Sequence, residues 1–495
     1  MSPKELFLAR TKLWITLAAM CGALLLSMEI GGMLSWATEP PNREQIKAFE
    51  RAGELKSRAD YVRKLGNHRV DGFLLKRAII NQQRKFLQDQ GKTRDEIDRF
   101  SPMLAPPPNW LGMPSTGTIK ILTILIEFKD FTHTNSRDDV HSNLFGAGDP
   151  TRAPYESLAK YYGRASYGKL NLNNGTTLGW YRTAYDRSSV DQTDTGRENL
   201  IKEALNFYKK QGHDFSQYDS NKDGIIDYLI VIWTGPDNGW GSFWWGYQTT
   251  FNDPNYELDG VRLGKYSWQW EANPIDNPNY KFTPRTVIHE TGHALGVPDY
   301  YHYDSAPGPQ GGVGTLDIMD GNKGDHNCFS KWMLEWVEPK VVSRGTQTIT
   351  LSASGNSQDC VIIWPGIATG DLFSEFFVAQ NRNREGNDHT TEMPGDGMLI
   401  WHVDASLKPD GKDFEYDNSY TRHKLLRLME ADDKENIEKG NSVDSGVYYV
   451  SGEQFGPTTA PSSKKYDGKD SGAEVMNISA AGPQMAATFR IIRNP

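Results

Sequence analysis

Apolar positions between residues 41 and 100 recur at helical spacing. Ile46, Phe49, Leu55, Ala59, Val62 and Leu65 fall close to one helical face, and Gly66 follows where a helix stop would stand. A second helical run carries Phe73, Leu74, Ile79, Ile80, Phe86 and Leu87. Pro102, Pro106, Pro107, Pro108 and Pro114, with Gly112 and Gly117, then mark a linker. Beyond it the texture changes. Residues 118–128 (TIKILTILIEF) and 228–233 (YLIVIW) read as buried strands, and 155–167 and 198–210 as helices. After about residue 340 strand-like segments alternate with Gly, Asn and Asp clusters, at 346–351, 360–364, 376–380, 397–403, 425–429 and 485–491. The pattern predicts an α+β domain preceded by a helical segment and followed by an all-β, sandwich-like region.

Charge and composition refine this picture. Lys4, Arg10 and Lys12 precede an uncharged stretch from 13 to 28, followed by small residues and Ser35-Trp36-Ala37, the pattern of a secretory signal peptide. The stretch is short for a membrane span of about 20 residues. Export is therefore expected, with no stable membrane insertion once the signal is cut; the alternative is an uncleaved N-terminal anchor. Cys21 follows Ala18-Ala19-Met20, a poor lipoprotein site; Cys328 and Cys360 then remain, to pair once or stay free. The net charge of -9 over 495 residues argues against nucleic acid as a partner. The helical segment is basic while the whole chain is acidic. It reads equally as a pro-segment that docks on, inhibits and later leaves an acidic enzyme, or as a permanent subdomain.

Candidate chemistry centres on residues 283–299 (TPRTVIHETGHALGVPD). Thr283 and Pro284 form a helix start, with Thr as N-cap, and Gly296 a stop. Between them stands His289-Glu290-Thr291-Gly292-His293. Residues four apart share a helical face, so both imidazoles reach one ion, and Glu290 addresses a water beside it. A turn after Gly296 returns Asp299 at the spacing H-E-x-x-H-x-x-G-x-x-D, and carboxylate is an acceptable zinc ligand. Downstream, Met319 within 314–321 (GTLDIMDG) is placed to pack beneath the ligands as a Met-turn.

HETGHALGVPDYY resembles the zinc motif of the immune inhibitor A-type secreted metallopeptidases. EFKDF near 127, KYYGRASYGKLNL (160–172), DSNKDGIIDYLIVIWTG (219–235), FSKWMLEWVEP (329–339), EFFVAQNRNREG and GDGMLIWHVD are similar to other stretches of that family. The resemblance spans roughly 118–495. It implies a zincin or metzincin-like fold, zinc on His289, His293 and Asp299, and Glu290 as the catalytic base. Two residues after Met319, where many metzincins carry Tyr, stands Gly321. Inhibition by a pro-segment cysteine on zinc is excluded, because none follows Cys21 before Cys328.

Asp219, Asn221, Asp223 and Asp227, with Gly224, match the first nine positions of a calcium loop, but Ile230 replaces the Glu of the twelfth. A calcium ion there needs ligands from other segments; the plainer reading is an Asp/Asn/Gly turn entering a strand. The aromatic run 240–247 (WGSFWWGY) is read as core in preference to substrate subsite. These readings give a signal peptide over 1–37, a helical pro-segment and linker over 38–116, a metallopeptidase domain over 117–342 and a β-rich domain over 343–495. The expected activity is secreted zinc endopeptidase on protein or peptide substrates. The alternative is a secreted surface- or polymer-binding protein with a vestigial zinc site.

Overall fold

The computed structural model describes residues 41, 43–100, 112–272, 281–303, 312–366, 373–389, 393–419 and 423–492. The stretch read as a signal peptide, Cys21, Pro102 and Pro106 to Pro108 lie outside the described residues.

The N-terminal segment forms α1 (Arg43–Ala52), α2 (Leu55–Leu65), α3 (Gly72–Asp89) and α4 (Arg94–Phe100). Gly66 closes α2 in the left-handed conformation, at φ 87°, that glycine adopts without strain. Asp71 caps α3 by accepting from Phe73 N–H at 2.8 Å. The apolar stripes are used: Leu55, Ala59 and Val62 enter one core, and Val70, Leu74, Leu75 and Ala78 another. Phe73, read as part of the stripe, is exposed.

The central region runs β1 (Gly117–Thr118), β2 (Leu122–Glu127), α5 (Arg137–Phe145), α6 (Leu158–Ala165), β3 (Leu170–Asn171), β4 (Thr176–Arg182), α7 (Asp194–Lys210), β5 (Leu229–Trp233), β6 (Tyr247–Thr250), β7 (Glu257–Leu258), β8 (Val261–Arg262), β9 (Lys265–Trp270), α8 (Arg285–Leu295), α9 (Ile318–Gly321) and α10 (Cys328–Met333). Its main sheet has the order β4-β2-β5-β9-β6, with β6 the antiparallel edge strand. Both faces are covered. Leu122, Ile124, Ile126, Leu229, Val231 and Trp233 meet the Leu200, Ile201, Ala204 and Leu205 stripe of α7. Leu125, Ile230 and Ile232 meet α6 and α8. Burial on both sides is why these strands read as continuous apolar runs. The aromatic run packs in the first of these cores, with Trp240, Phe243, Trp244, Trp245 and Tyr247 all buried.

The remaining strands are β10 (Lys340–Val342), β11 (Gly345–Ser352), β12 (Val361–Ile363), β13 (Glu375–Arg382), β14 (Gly397–Asp404), β15 (Leu426–Leu428), β16 (Ala473–Met476) and β17 (Gln484–Ile491). They build a five-stranded sheet, β10-β12-β13-β14-β15, and a three-stranded one, β11-β17-β16. Val361, Ile363, Phe377, Ala379, Met398 and Ile400 face the smaller sheet. Their alternates Ile362, Val378, Leu399, Trp401 and Val403 join the core beneath the helices of the central region. The molecule is thus α+β, and its larger C-terminal sheet is buried on both faces. Among the described residues no helix is long and apolar enough to cross a membrane.

Candidate metal centre

Helix α8 begins one residue later than the Thr283 cap implies. Pro284 occupies the N-cap position, with no side-chain cap, because its ring carries no hydrogen-bond acceptor. Gly296 ends the helix as expected, at φ 104°. Every residue of α8 is buried. Met319 is buried beneath it, and a Cβ added at Gly292 would lie 2.3 Å from Met319 Sδ. Gly292 therefore lets the Met-turn reach the helix between the two histidines.

The structure gathers His289, His293 and Asp299. Among the described residues this is the one group of His, Cys, Asp or Glu whose ligand atoms converge within reach of a single ion, mutually within 4.8 Å. His289 Nδ1 bonds to the Ile318 carbonyl at 2.9 Å, and His293 Nδ1 to the Val297 carbonyl at 2.8 Å. A carbonyl only accepts, so each ring carries its proton on Nδ1 and turns the Nε2 lone pair inward. Asp299 Oδ1 stands 2.9 Å from His289 Nε2 and 3.4 Å from His293 Nε2. The other oxygen, Oδ2, accepts from the Tyr303 hydroxyl.

Lone pairs facing one another at these distances need a cation between them. In a tetrahedral zinc site with bonds near 2.0–2.2 Å, ligand atoms sit about 3.4 Å apart. The residues therefore fit a zinc ion. Asp299 Oδ1 counts as an ion-pair partner of the imidazoles only if a proton fills the gap; otherwise it has no hydrogen-bond donor among the described residues. With no cation between the ligands, burial depresses His289 but the hydrogen bond and charge of Asp299 outweigh it and hold its pKa up at about 9, so a metal ion takes Nε2 by displacing a proton. Burial raises Asp299, and the two imidazoles more than reverse this.

Glu290 lies one residue round the helix, 2% exposed, with Oε2 unpartnered among the described residues. Burial raises its pKa against the pull of His289 and His293. The backbone of Gln248, in edge strand β6, hydrogen-bonds its carboxylate. A poised, poorly solvated carboxylate beside a cation site is suited to accept a proton from water.

Sequence spacing missed the second layer. The N–H of Asp299 donates to the Asn67 carbonyl at 2.8 Å, and the N–H of Asp71 to the Gly296 carbonyl at 3.0 Å. Asp71 also pairs with Lys265 at 2.8 Å, and Lys265 Nζ donates to the carbonyls of His293 and Ala294 at 3.2 and 3.3 Å. Residues 67–71 thus brace the loop that carries the third ligand. Tyr300 and Tyr301 are buried near Asp299, but it is Tyr303 that touches its carboxylate.

The four residues of the calcium-like loop are not gathered in this way. Asp219 accepts from the N–H groups of Asp223 and Gly224 at 3.1 and 2.8 Å, and Asp223 from Ile225 N–H at 2.8 Å and the Asn221 amide at 3.0 Å. Asp227 accepts from Ser220 N–H at 2.9 Å, and burial pushes it up to about 7. Asp219 and Asp223 close the loop on its own backbone, as an Asx-rich turn does, while Asp227 Oδ1 has no hydrogen-bond partner among the described residues.

Comparison with known proteins finds distant, partial similarity to two metalloproteases. The chain is 24% identical over 235 residues to Immune inhibitor A of Bacillus thuringiensis subsp. alesti, which covers 37% of this chain and 34% of that protein. It is 24% identical over 232 residues to the pre-pro-metalloprotease PrtV of Vibrio cholerae serotype O1, covering 37% and 25%. The match therefore spans about a third or less of the relatives' length. No protein-family model matches the chain. Among solved structures, OgpA from Akkermansia muciniphila aligns at 11% identity and a TM-score of 0.23, over 60% of this chain and 90% of that one. At that score the likeness carries no argument.

Proposed function

We propose that the protein is an exported zinc endopeptidase, with zinc held by His289, His293 and Asp299 and with Glu290 as general base. The observation that carries this reading is the set of inward-facing Nε2 and Oδ1 lone pairs, with no donor among the described residues, beside the unpartnered carboxylate of Glu290. Zinc, when bound, supplies Lewis-acid polarisation of a carbonyl and acidifies water. Glu290 takes the proton of the attacking water and returns it to the leaving amide nitrogen. Asp299 is oriented for its role by Tyr303, and each imidazole by a backbone carbonyl. The outer edge of β6, beside Glu290, has no strand partner among the described residues. An extended peptide fits there by strand addition.

In the full chain this edge is already engaged, since the Asn67 side chain donates to the Gln248 carbonyl at 3.1 Å and Tyr61 bonds Tyr247 at 2.9 Å. The ligands themselves are nearly inaccessible. These contacts support the reading of the N-terminal helices as the enzyme's own inhibitor.

The test is hydrolysis of an unstructured protein by the separated chain from residue 112 onward, with and without chelator. Glu290→Gln should retain zinc and lose roughly a hundred- to ten-thousandfold in turnover; full activity in a clean preparation of the variant would refute its role. Asp299→Ala should lose both metal and activity, and an unchanged zinc content would point to another third ligand. The competing reading, a binding protein with a vestigial site, predicts function indifferent to chelator.

A further inference from the structure

Helix α10 and strand β12 each place one cysteine in the same buried layer. Cys328 is the first residue of α10 and Cys360 directly precedes β12, and both are buried free thiols in one core cluster. The strand register brings them together. Val361 pairs with Ala379, so Cys360 lies across from Gln380. Ile362 and Val378, on the same face, belong to the cluster that contains both cysteines, while Val361, Ile363, Phe377 and Ala379 face the opposite core. Gln380 Oε1 accepts from the backbone N–H of Cys328 at 3.0 Å. The start of α10 therefore sits over the position whose cross-strand neighbour is Cys360. The Cys328 side chain, together with burial, raises the Cys360 thiol well above its usual range.

We propose that Cys328 and Cys360 form a disulfide that ties α10 of the central region to the larger C-terminal sheet. The plainer reading, two small buried hydrophobes, explains each cysteine singly and leaves their adjacency without a role. In bond formation each thiol loses its proton, and the pair passes two electrons to a disulfide oxidant of the glutathione or dithiol-oxidase class, which leaves as two thiols. The thiolate is disfavoured in the folded layer, so the bond closes during folding, in the oxidising compartment that export implies. Its anchor point matters. Asn327, just before Cys328, caps α10 by accepting from Ser330 N–H at 3.0 Å and donates its amide to Asp317 Oδ2 at 2.7 Å. Asp317 Oδ1 in turn accepts from Met319 N–H at 2.8 Å. The bond thereby secures the support of the metal centre's floor, whatever reaction the centre performs.

The test uses the full chain twice: once secreted from an expression host and never unfolded, and once unfolded with reductant and refolded in oxidising glutathione buffer. Each sample is unfolded in denaturant with the alkylating reagent present, without reductant, and then digested with trypsin. The expected result is a linked pair of peptides, 324–331 with 345–382, lighter by two hydrogens than the separate peptides and absent in Cys360→Ser. Reduction should lower the thermal midpoint of the wild type by a few degrees and leave that of Cys360→Ser unchanged. Alkylation of both cysteines in both samples would overturn the proposal, as would a link from Cys21 to either one in the refolded full chain.

Discussion

At the scale of the residue, His326 shows how burial without partners sets a pH response. Neither ring nitrogen has a hydrogen-bond partner among the described residues, and Tyr161, Tyr162 and Trp336 enclose the ring. Burial lowers its pKa to about 3 against the pull of Asp325. The unfolded chain binds a proton at His326 below about 6.5, and the folded chain refuses it until about 3, so stability is lost as pH falls through that window. His326→Phe removes the penalty and breaks no hydrogen bond to a described residue. It should leave stability at pH 7 within about 1 kcal/mol and raise it by about 2 kcal/mol near pH 4.5, read from urea unfolding at both values. An equal loss of stability in both proteins on acidification would refute this account.

At the scale of the element, α8 was the most legible part of the chain and its surroundings the least. Two histidines four apart, a glycine stop and a carboxylate after it are local signals, and the structure gathers those side chains. The proline-started N-terminus differs from the threonine cap because only backbone geometry distinguishes the two. Strand β9, KYSWQW, was passed over although it alternates polar and apolar residues; the alternation does not mark a half-exposed strand here, since Ser267 and Gln269 are as buried as Tyr266 and Trp268. The brace from Asn67 to Asp299 is a backbone contact between distant segments and leaves no trace in spacing. Gly292 offers a direct test of the helix-to-floor packing. Gly292→Ala drives its Cβ into Met319 and should cost roughly 1–3 kcal/mol with weakened zinc retention. Met319→Ala in the same chain should recover part of that loss, and strictly additive effects would show that the two residues do not couple.

At the scale of the whole molecule, apolar burial outweighs charge in seating the N-terminal helices. Residues 41–100 carry fifteen Lys and Arg against nine Asp and Glu, opposite in sign to the whole chain. Pairs such as Lys64–Asp194 and Lys85–Glu338 are exposed and weak singly, so apolar burial by Leu55, Val62, Leu74 and Leu75 supplies most of the adhesion. The isolated segment 41–100, added in trans to the separated chain from residue 112, should therefore inhibit it, with only a modest loss of potency from low to about 0.5 M salt in activity assays. Inhibition abolished by salt would assign the docking to charge instead. The sequence pattern revealed this segment's helices and its basic character, but not its seat beside Asp299.

The larger C-terminal sheet turns one row of side chains to its smaller companion and the alternate row to the core that also receives α8 and α10. A strand so placed has no surface on which to drift in evolution. Exchanging residues 343–492 for the corresponding piece of a distant homologue would require two interfaces to match at once, so diversity in this lineage should accumulate in the connections between strands and spare the strands themselves. Heated, the chain from residue 112 onward should lose both regions in one calorimetric step, because neither keeps a complete interior without the other.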